Sequence, residues 1–337
     1  MRVPHTRPGN WPGVAAGRLA ERLAPLILGD VPDEAALRAR PKTIALLGLP
    51  DDTGIALNGG RMGAAEGPSA FRRALAGYGT AFDAARGSEP PVGLHDAGDV
   101  IPAEGTDAEA MDATHERVRE AVAALHSRGF VPVCVGGGHD LTYPAVRALA
   151  EGSGPLGGVN VDAHLDVRER PGSGMPFRAL IEGGWVEPER FTVFGAGRFA
   201  NLGEHVAWLV ESGAEIVPMT GAADAPGAFR RVLDRARSGE GSGDASGSNR
   251  AREASLFVSF DLDALDGAFA PGVSAVNPAG LDVPTATRIA EEAGRAPGVR
   301  HFDLMELSPP HDVDGRTARV AALLFLHFVA GFSERAE

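Results

Sequence analysis

Five aspartates and two histidines, gathered in three short segments, are the residues of this chain best placed to do chemistry together. The segments are Asp162-Ala163-His164-Leu165-Asp166, Asp261-Leu262-Asp263 with Asp266 close behind, and His139 at the end of Gly136-Gly137-Gly138-His139. Each follows an apolar run that reads as a buried parallel strand, which puts all three at one end of one sheet. Side chains at i, i+2 and i+4 of an extended chain share a face, so Asp162, His164 and Asp166 are expected to converge, as are Asp261 and Asp263. So much buried negative charge needs cations to neutralise it. Carboxylates with imidazoles and no thiolate favour Mn2+ or Mg2+ over Zn2+, and two imidazoles among four or five carboxylates suit a Mn2+ pair. Two metals roughly 3.5 to 4 Å apart can hold a hydroxide and deliver it to a reluctant carbon, so the chemistry expected is hydrolysis.

Each segment also has a plainer reading. Asp140 stands before a helical stretch and reads as its N-cap. His139 alone reads as a loop histidine, and Asp-x-His-x-Asp alone as a solvated strand end. Three acidic strand ends in one chain are hard to explain as caps, and the conjunction favours the metal site. The glycines at 136–138 lack the G-x-G-x-x-G or G-K-[ST] context of a phosphate loop and read as close backbone approach. Cys134, the only cysteine, lies in the apolar run 131–135 and reads as a small hydrophobe.

Strand-like runs at 43–48, 130–135, 158–161, 191–195, 215–217, 255–260 and 300–304 alternate with helical patterns such as 108–127 and 141–150. That alternation implies an α/β fold, a parallel sheet with helices on both faces and ligands beyond the carboxyl ends of its strands. Residues 1–40 read as an N-terminal extension and 41–337 as a single domain. The Gly- and Ser-rich stretch 238–254 reads as a disordered insertion. The chain has 337 residues and a formal net charge of −13 with no Lys/Arg-rich run, which argues against a nucleic-acid partner. It shows no signal-peptide core and no run of 18 apolar residues, so a soluble cytoplasmic protein without membrane contact is expected.

The set Gly-Gly-Gly-His139, Asn160-Val-Asp-Ala-His-Leu-Asp166, Ser259-Phe-Asp-Leu-Asp-Ala-Leu-Asp266 and Met305-Glu306 resembles the ureohydrolase superfamily of arginases, agmatinases and formimidoylglutamases, in order and spacing, over about residues 44–326. The resemblance implies one arginase-like, three-layer domain with an eight-stranded parallel sheet, and two Mn2+ per chain. It implies that His139, Asp162, Asp166 and Asp261 hold one ion and Asp162, His164, Asp261 and Asp263 the other. It also implies that Asp166 orients the hydroxide and that Glu306 pairs with the amidinium-like group of a small-molecule substrate. Trimers or hexamers are usual in the superfamily, so a homo-oligomer is implied by analogy.

The stretches 49–55, 58–68, 304–310 and 314–319 resemble formimidoylglutamases in particular. The loop 270–278 is shared by most of the superfamily and discriminates little. Where arginases and agmatinases carry a proton-shuttling histidine, this chain has Ser173, as formimidoylglutamases do. N-formimidoyl-L-glutamate carries two carboxylates and agmatine a cation, so the outer pocket should carry arginine for the former substrate. Arg61, Arg168, Arg178 and Arg198 lie just past strand ends, and they join Ser173 as candidate substrate contacts. The activity implied is hydrolysis of N-formimidoyl-L-glutamate to glutamate and formamide in histidine degradation, with Asp166 or a water held by Ser173 carrying the proton. An agmatinase or guanidino-acid hydrolase releasing urea, and a metal-binding scaffold without turnover, are the alternatives.

Overall fold

The computed structural model describes residues 2–28, 43–219, 225–238 and 255–335. The insertion read at 238–254 lies, apart from Ser238, outside the described residues. Eight parallel strands build the sheet: β3 (Thr43–Leu49), β4 (Gly93–Val100), β5 (Val131–Gly136), β6 (Leu156–Val161), β7 (Val186–Ala196), β8 (Glu215–Pro218), β9 (Leu256–Asp261) and β10 (Val299–Met305). Two short strands of the N-terminal extension, β1 (Thr6–Arg7) and β2 (Ala24–Pro25), both pair with β4. The order is β1-β4-β3-β5-β10-β9-β6-β7-β8.

The strands are apolar on both faces because helices cover both. Along β3, Ile44 and Leu46 enter one core while Ala45, Leu47 and Leu49 enter the other, as the period of two requires. The first core is closed by α2 (Gly67–Gly77), α7 (Ala225–Ser238), α8 (Val283–Arg295) and α9 (Arg316–Ser333), through Phe71, Phe229, Ile289 and Phe325. On the opposite face lie α3 (Ala108–His126), α4 (Thr142–Ser153), α5 (Pro176–Glu182) and α6 (Gly203–Glu211), with a short helix α1 (Thr53–Leu57) between β3 and α2. This is the three-layer α/β arrangement expected. Cys134 is fully buried there, and burial, then the nearby Asp303 charge, pushes its thiol well up; it is the inert small hydrophobe of the sequence reading.

Strand β4 is absent from the runs read in the sequence. Its residues Gly93-Leu-His-Asp-Ala-Gly-Asp-Val mask the apolar alternation with two acids and an interior glycine. Those acids have a partner that only folding supplies: Arg72 of α2, 1% exposed, reaches Asp96 Oδ1 at 2.8 Å and also pairs with Asp99. Trp11 Nε1 donates to Asp96 Oδ2 at 2.6 Å, tying the N-terminal extension to the same cluster.

The N-cap reading of Asp140 is also corrected. Asp140 lies in a 3-10 turn, His139–Leu141, one turn before α4, whose N-cap residue is Leu141. Its carboxylate pairs with His115 instead. No described helix is long and apolar enough to cross a membrane.

Candidate metal centre

The ligand segments leave the sheet side by side because β5, β10, β9 and β6 are consecutive in it. His139 follows β5, Glu306 follows β10, Asp261 ends β9 and Asp162 follows β6. Their convergence does not come from strand alternation, as the sequence suggests. Strand β6 stops at Val161, and the chain then turns. Asp162 Oδ1 accepts a hydrogen bond from the His164 N–H at 2.7 Å, and Asp261 Oδ1 accepts one from the Asp263 N–H at 2.7 Å. These paired Asx turns aim residues i and i+2 at one centre. Asn201 braces the first: its Oδ1 accepts from Leu165 N–H at 2.9 Å and its Nδ2 donates to Ala163 O at 3.0 Å. Asp266 does not join the cluster, since its Oδ1 accepts from Ala268 N–H in a turn of its own.

Ligand atoms of His139, Asp162, Asp166 and Asp261 lie within 4.8 Å of one another, and so do those of Asp162, His164 and Asp263. The second group lacks Asp261, which the resemblance places in both. Around His139 Nδ1 stand Asp166 Oδ2 and Asp261 Oδ2 at 2.9 Å and Asp162 Oδ2 at 3.4 Å. His164 Nδ1 lies 3.1 Å from Asp263 Oδ2.

Two observations fit a bound cation. His139 Nδ1 and Asp263 Oδ1 are buried without a hydrogen-bond partner, although carboxylates crowd the imidazole. The other ring nitrogen is assigned by its neighbours: Ser259 Oγ donates to Asp303 Oδ1 at 2.6 Å, so His139 Nε2, 2.9 Å from Ser259 Oγ, must donate to that hydroxyl. In the neutral imidazole that leaves the Nδ1 lone pair pointing among anions, an arrangement that a proton or a metal ion turns from repulsive to favourable. The all-oxygen and imidazole donor set suits Mn2+ or Mg2+.

The electrostatics agree. Burial, then repulsion from Asp263 and Asp162, pushes Asp261 well above the carboxylate range. Burial, then the Asp162 charge, raises Asp263 to about 8, and burial, then Asp261, raises Glu306 to about 8. Burial opposes charge on both histidines, yet the surrounding carboxylates lift His139 and His164 well above the usual imidazole value. Asp162 moves the other way: burial would raise it, but the two imidazoles hold it below its ordinary value. A cluster that retains protons this strongly is one that lacks positive charge.

Glu306 sits at the wall. Its Oε1 accepts from the His139 N–H at 3.0 Å, and its Oε2 accepts from the Ser274 hydroxyl. Ser274 belongs to the loop 270–278, which most of the superfamily shares and which discriminates little between its branches. Asp166 and Glu306 both hold left-handed backbones, with φ of 49° and 67°. Such non-glycine residues cost roughly 1 to 3 kcal/mol each and cluster at functional sites.

The sequence profile of the arginase family matches residues 42–331. The chain belongs to the arginase family. It is 37% identical over 294 residues to a formimidoylglutamase of Halobacterium salinarum, covering 85% of this chain and 87% of that one. It is 35% identical over 302 residues to a formimidoylglutamase of Aromatoleum aromaticum, with 84% and 82% covered. A crystal structure of Trypanosoma cruzi formiminoglutamase with Mn2+ superposes with a TM-score of 0.77 at 30% identity, covering 91% of this chain and all of that one.

In this arginase-family chain the candidate substrate contacts separate into two classes. Arg178 is engaged, with Glu182 at 2.8 Å, Glu169 at 3.0 Å and the Trp208 ring 4.6 Å below its guanidinium. Arg61 is engaged too, donating to Val273 O at 2.6 Å and Ser274 O at 3.2 Å, which braces the loop that holds Glu306. Arg168 and Arg198 have no ion pair or side-chain hydrogen bond among the described residues. Arg198 lies over the Phe199 ring at 5.2 Å. Arg168 crosses Gly174, where an added Cβ would stand 2.9 Å from its Nε and 3.3 Å from Asn58 Nδ2. Asn58 Nδ2 in turn donates to Ser173 Oγ at 2.9 Å. Asn58, Arg168 and Ser173 thus form one polar patch that the sequence, with Asn58 and Ser173 115 positions apart, could not assemble.

Proposed function

We propose that this protein hydrolyses N-formimidoyl-L-glutamate to L-glutamate and formamide with two Mn2+ per chain. One observation supports the choice of substrate: of the arginines just past strand ends, Arg168 and Arg198 have no ion pair or side-chain hydrogen bond among the described residues, and we take them as a cationic rim over the acidic, cation-seeking floor. Agmatine would bring its ammonium group to that rim, whereas the glutamate moiety brings two carboxylates, which guanidinium groups recognise through directed, charge-assisted hydrogen bonds. The relatives named formimidoylglutamase support the same reading.

His139, Asp162, Asp166 and Asp261 would hold one ion, and Asp162, His164 and Asp263, with Asp261, the other. When bound, the Mn2+ pair supplies an activated nucleophile and stabilises the negative charge that develops on the substrate. Asp166 orients the attacking oxygen and takes its proton. Glu306, held by the His139 amide and Ser274, accepts a hydrogen bond from the formimidoyl nitrogen and fixes the reacting carbon above the floor. Arg168 holds a remote carboxylate. Asp166, or a water held by Ser173, returns the proton to the departing α-amine of glutamate. Action in histidine degradation, a cytoplasmic location and a trimeric or hexameric assembly belong to the same proposal and rest on the resemblance to ureohydrolases.

The test is to incubate Mn2+-loaded protein with formimidoylglutamate, agmatine, arginine and guanidinobutyrate, measuring formamide and urea separately. Formamide from the first substrate alone supports the proposal. Urea from agmatine with no formimidoylglutamate turnover rejects it.

A further inference from the structure

Directly beside the ligand His139, but outside the group of side chains that could hold a metal, Asp140 is completely buried and no step of the mechanism uses it. Its Oδ2 lies 2.8 Å from His115 Nε2 on α3, a histidine that is itself 4% exposed. Its Oδ1 has no hydrogen bond. That oxygen is wedged instead between two glycines: a Cβ added at Gly54 would overlap it, and one added at Gly138 would stand 2.5 Å away. Gly54 lies in α1, and its carbonyl oxygen accepts both the Ser173 N–H at 2.9 Å and the Asn58 N–H at 3.1 Å. The contact therefore leads in short steps from Asp140 to Gly54, and from Gly54 to two of the three polar residues at the rim.

A buried carboxylate paired on one side only is an expensive way to fill space, because an apolar side chain of similar volume would pack there without desolvating a charge. What the carboxylate has and an apolar group lacks is a fixed orientation. His115 holds the carboxylate plane, and the opposite oxygen then presents a hard, small surface against which two residues without side chains can close. We propose that Asp140 and His115 are positioning residues for substrate: the pair seats α1 against the His139 turn and thereby sets the place of Asn58 and Ser173, and of Arg168 across Gly174, relative to the metal centre. The proposal rests on the assignment of the rim to substrate binding. It makes a distinction within one turn of chain, with His139 serving the metal and its neighbour Asp140 serving the rim.

The experiment compares His115→Phe, His115→Gln, Asp140→Asn and Gly54→Ala with wild type, using whichever of the four amidine substrates the wild-type enzyme hydrolyses best. Read out are Mn2+ per chain, Tm, KM and kcat. A displaced rim raises KM about tenfold or more, since a misplacement of about 1 Å is costly even far from the reacting bond. It leaves metal content unchanged and kcat within about threefold. Expected are the raised KM in His115→Phe and Gly54→Ala and its recovery in His115→Gln, whose amide can donate to Asp140 as the imidazole does. Gly54→Ala disturbs the same contact without touching a charge, so it decides the matter if a variant of the pair fails to fold. Lowered Tm with wild-type KM in the folded variants would make the pair a mere fold pin and overturn the proposal. Loss of Mn2+ in Asp140→Asn would overturn it too, by assigning the residue to the metal. A wild-type enzyme that hydrolyses none of the four substrates refutes the functional assignment instead, a separate failure.

Discussion

Two buried charge clusters in this molecule differ in one respect, and the difference separates stability from function. Around Arg72 the charges answer one another: two carboxylates face one guanidinium, the Trp11 N–H supplies a further donor, and the cluster joins α2, β4 and the N-terminal extension. Around His139 they do not. Five carboxylates, counting Glu306, face two imidazoles, with one imidazole nitrogen left without a hydrogen bond among them and two left-handed backbones nearby. Folding alone pairs both carboxylates of the first cluster, leaving only the Arg72 Nε without a hydrogen bond. The second is complete only with cations, and in their absence it costs stability.

Substitutions in the two clusters should therefore fail in opposite ways. The largest expected effect is on turnover: Asp166→Asn should lower kcat by about 10² to 10⁴-fold, as for loss of a positioned proton acceptor, and Asp261→Ala should abolish activity together with metal. The metal-free form of Asp261→Ala should melt no lower than metal-free wild type, because it removes a carboxyl group that burial and the neighbouring Asp263 and Asp162 disfavour. Next in size is Arg72→Met, which strands two buried carboxylates and should destabilise the fold by about 3 to 5 kcal/mol. Urea melts and kcat measured on the same preparations would show it. An Asp261→Ala protein that unfolds while Arg72→Met stays stable would erase the contrast.

The rim sharpens the comparison. Arg168→Ala should lose roughly 2 to 4 kcal/mol of transition-state binding, read from kcat/KM, since a substrate carboxylate is left unpaired. Metal content should be untouched. Equal kcat/KM in variant and wild type would remove Arg168 from the substrate site.

A pH series probes the floor without mutation. Asp263 and Glu306 hold their protons in the metal-free fold up to about pH 8, and Asp261 is held well above the carboxylate range, whereas the unfolded chain releases all three near pH 4. Between those values the folded state binds more protons, so stability is present below the unfolded value and falls as pH rises. The raised histidines act in the same direction, and the lowered Asp162 acts only below about pH 4. Metal-free protein should thus melt progressively lower from pH 5.5 to 8.5, and Mn2+ should bind more tightly over the same range as protons are displaced. Rising Tm over that interval would contradict the picture of a charge-starved cluster.

The smallest effect is expected at Ser173, where alanine should reduce kcat only a few-fold because water can replace the hydroxyl. If Ser173→Ala proves as inactive as Asp166→Asn, the hydroxyl is essential and the proton route must be redrawn.

The comparison also explains what the sequence could reveal. The ligand segments are legible because their chemistry is local: Asp162, His164 and Asp166 share five consecutive positions, and each segment follows a recognisable strand. Their geometry is less so, since the Asx turns at Asp162 and Asp261 look identical in sequence to a continuing strand. That is also why Asp266 was grouped with residues it does not join. Strand β4 escaped because its acids are satisfied by Arg72 and Trp11, partners 24 and 85 residues from Asp96. Asp140 reads as a cap until His115, 25 residues away, is brought to it. Asn201, Ser274 and Asp303 were silent for the same reason. Each acts through a contact that exists only after long-range folding, 36, 32 and 44 residues from its partner.

The most direct test of the unbalanced cluster is its metal stoichiometry. Protein stripped with chelator, reconstituted with Mn2+, freed of excess metal and analysed for metal per folded chain should approach two ions, and Asp261→Ala should retain neither. A wild-type protein that holds no Mn2+, or an Asp261→Ala variant that keeps two, would contradict the account.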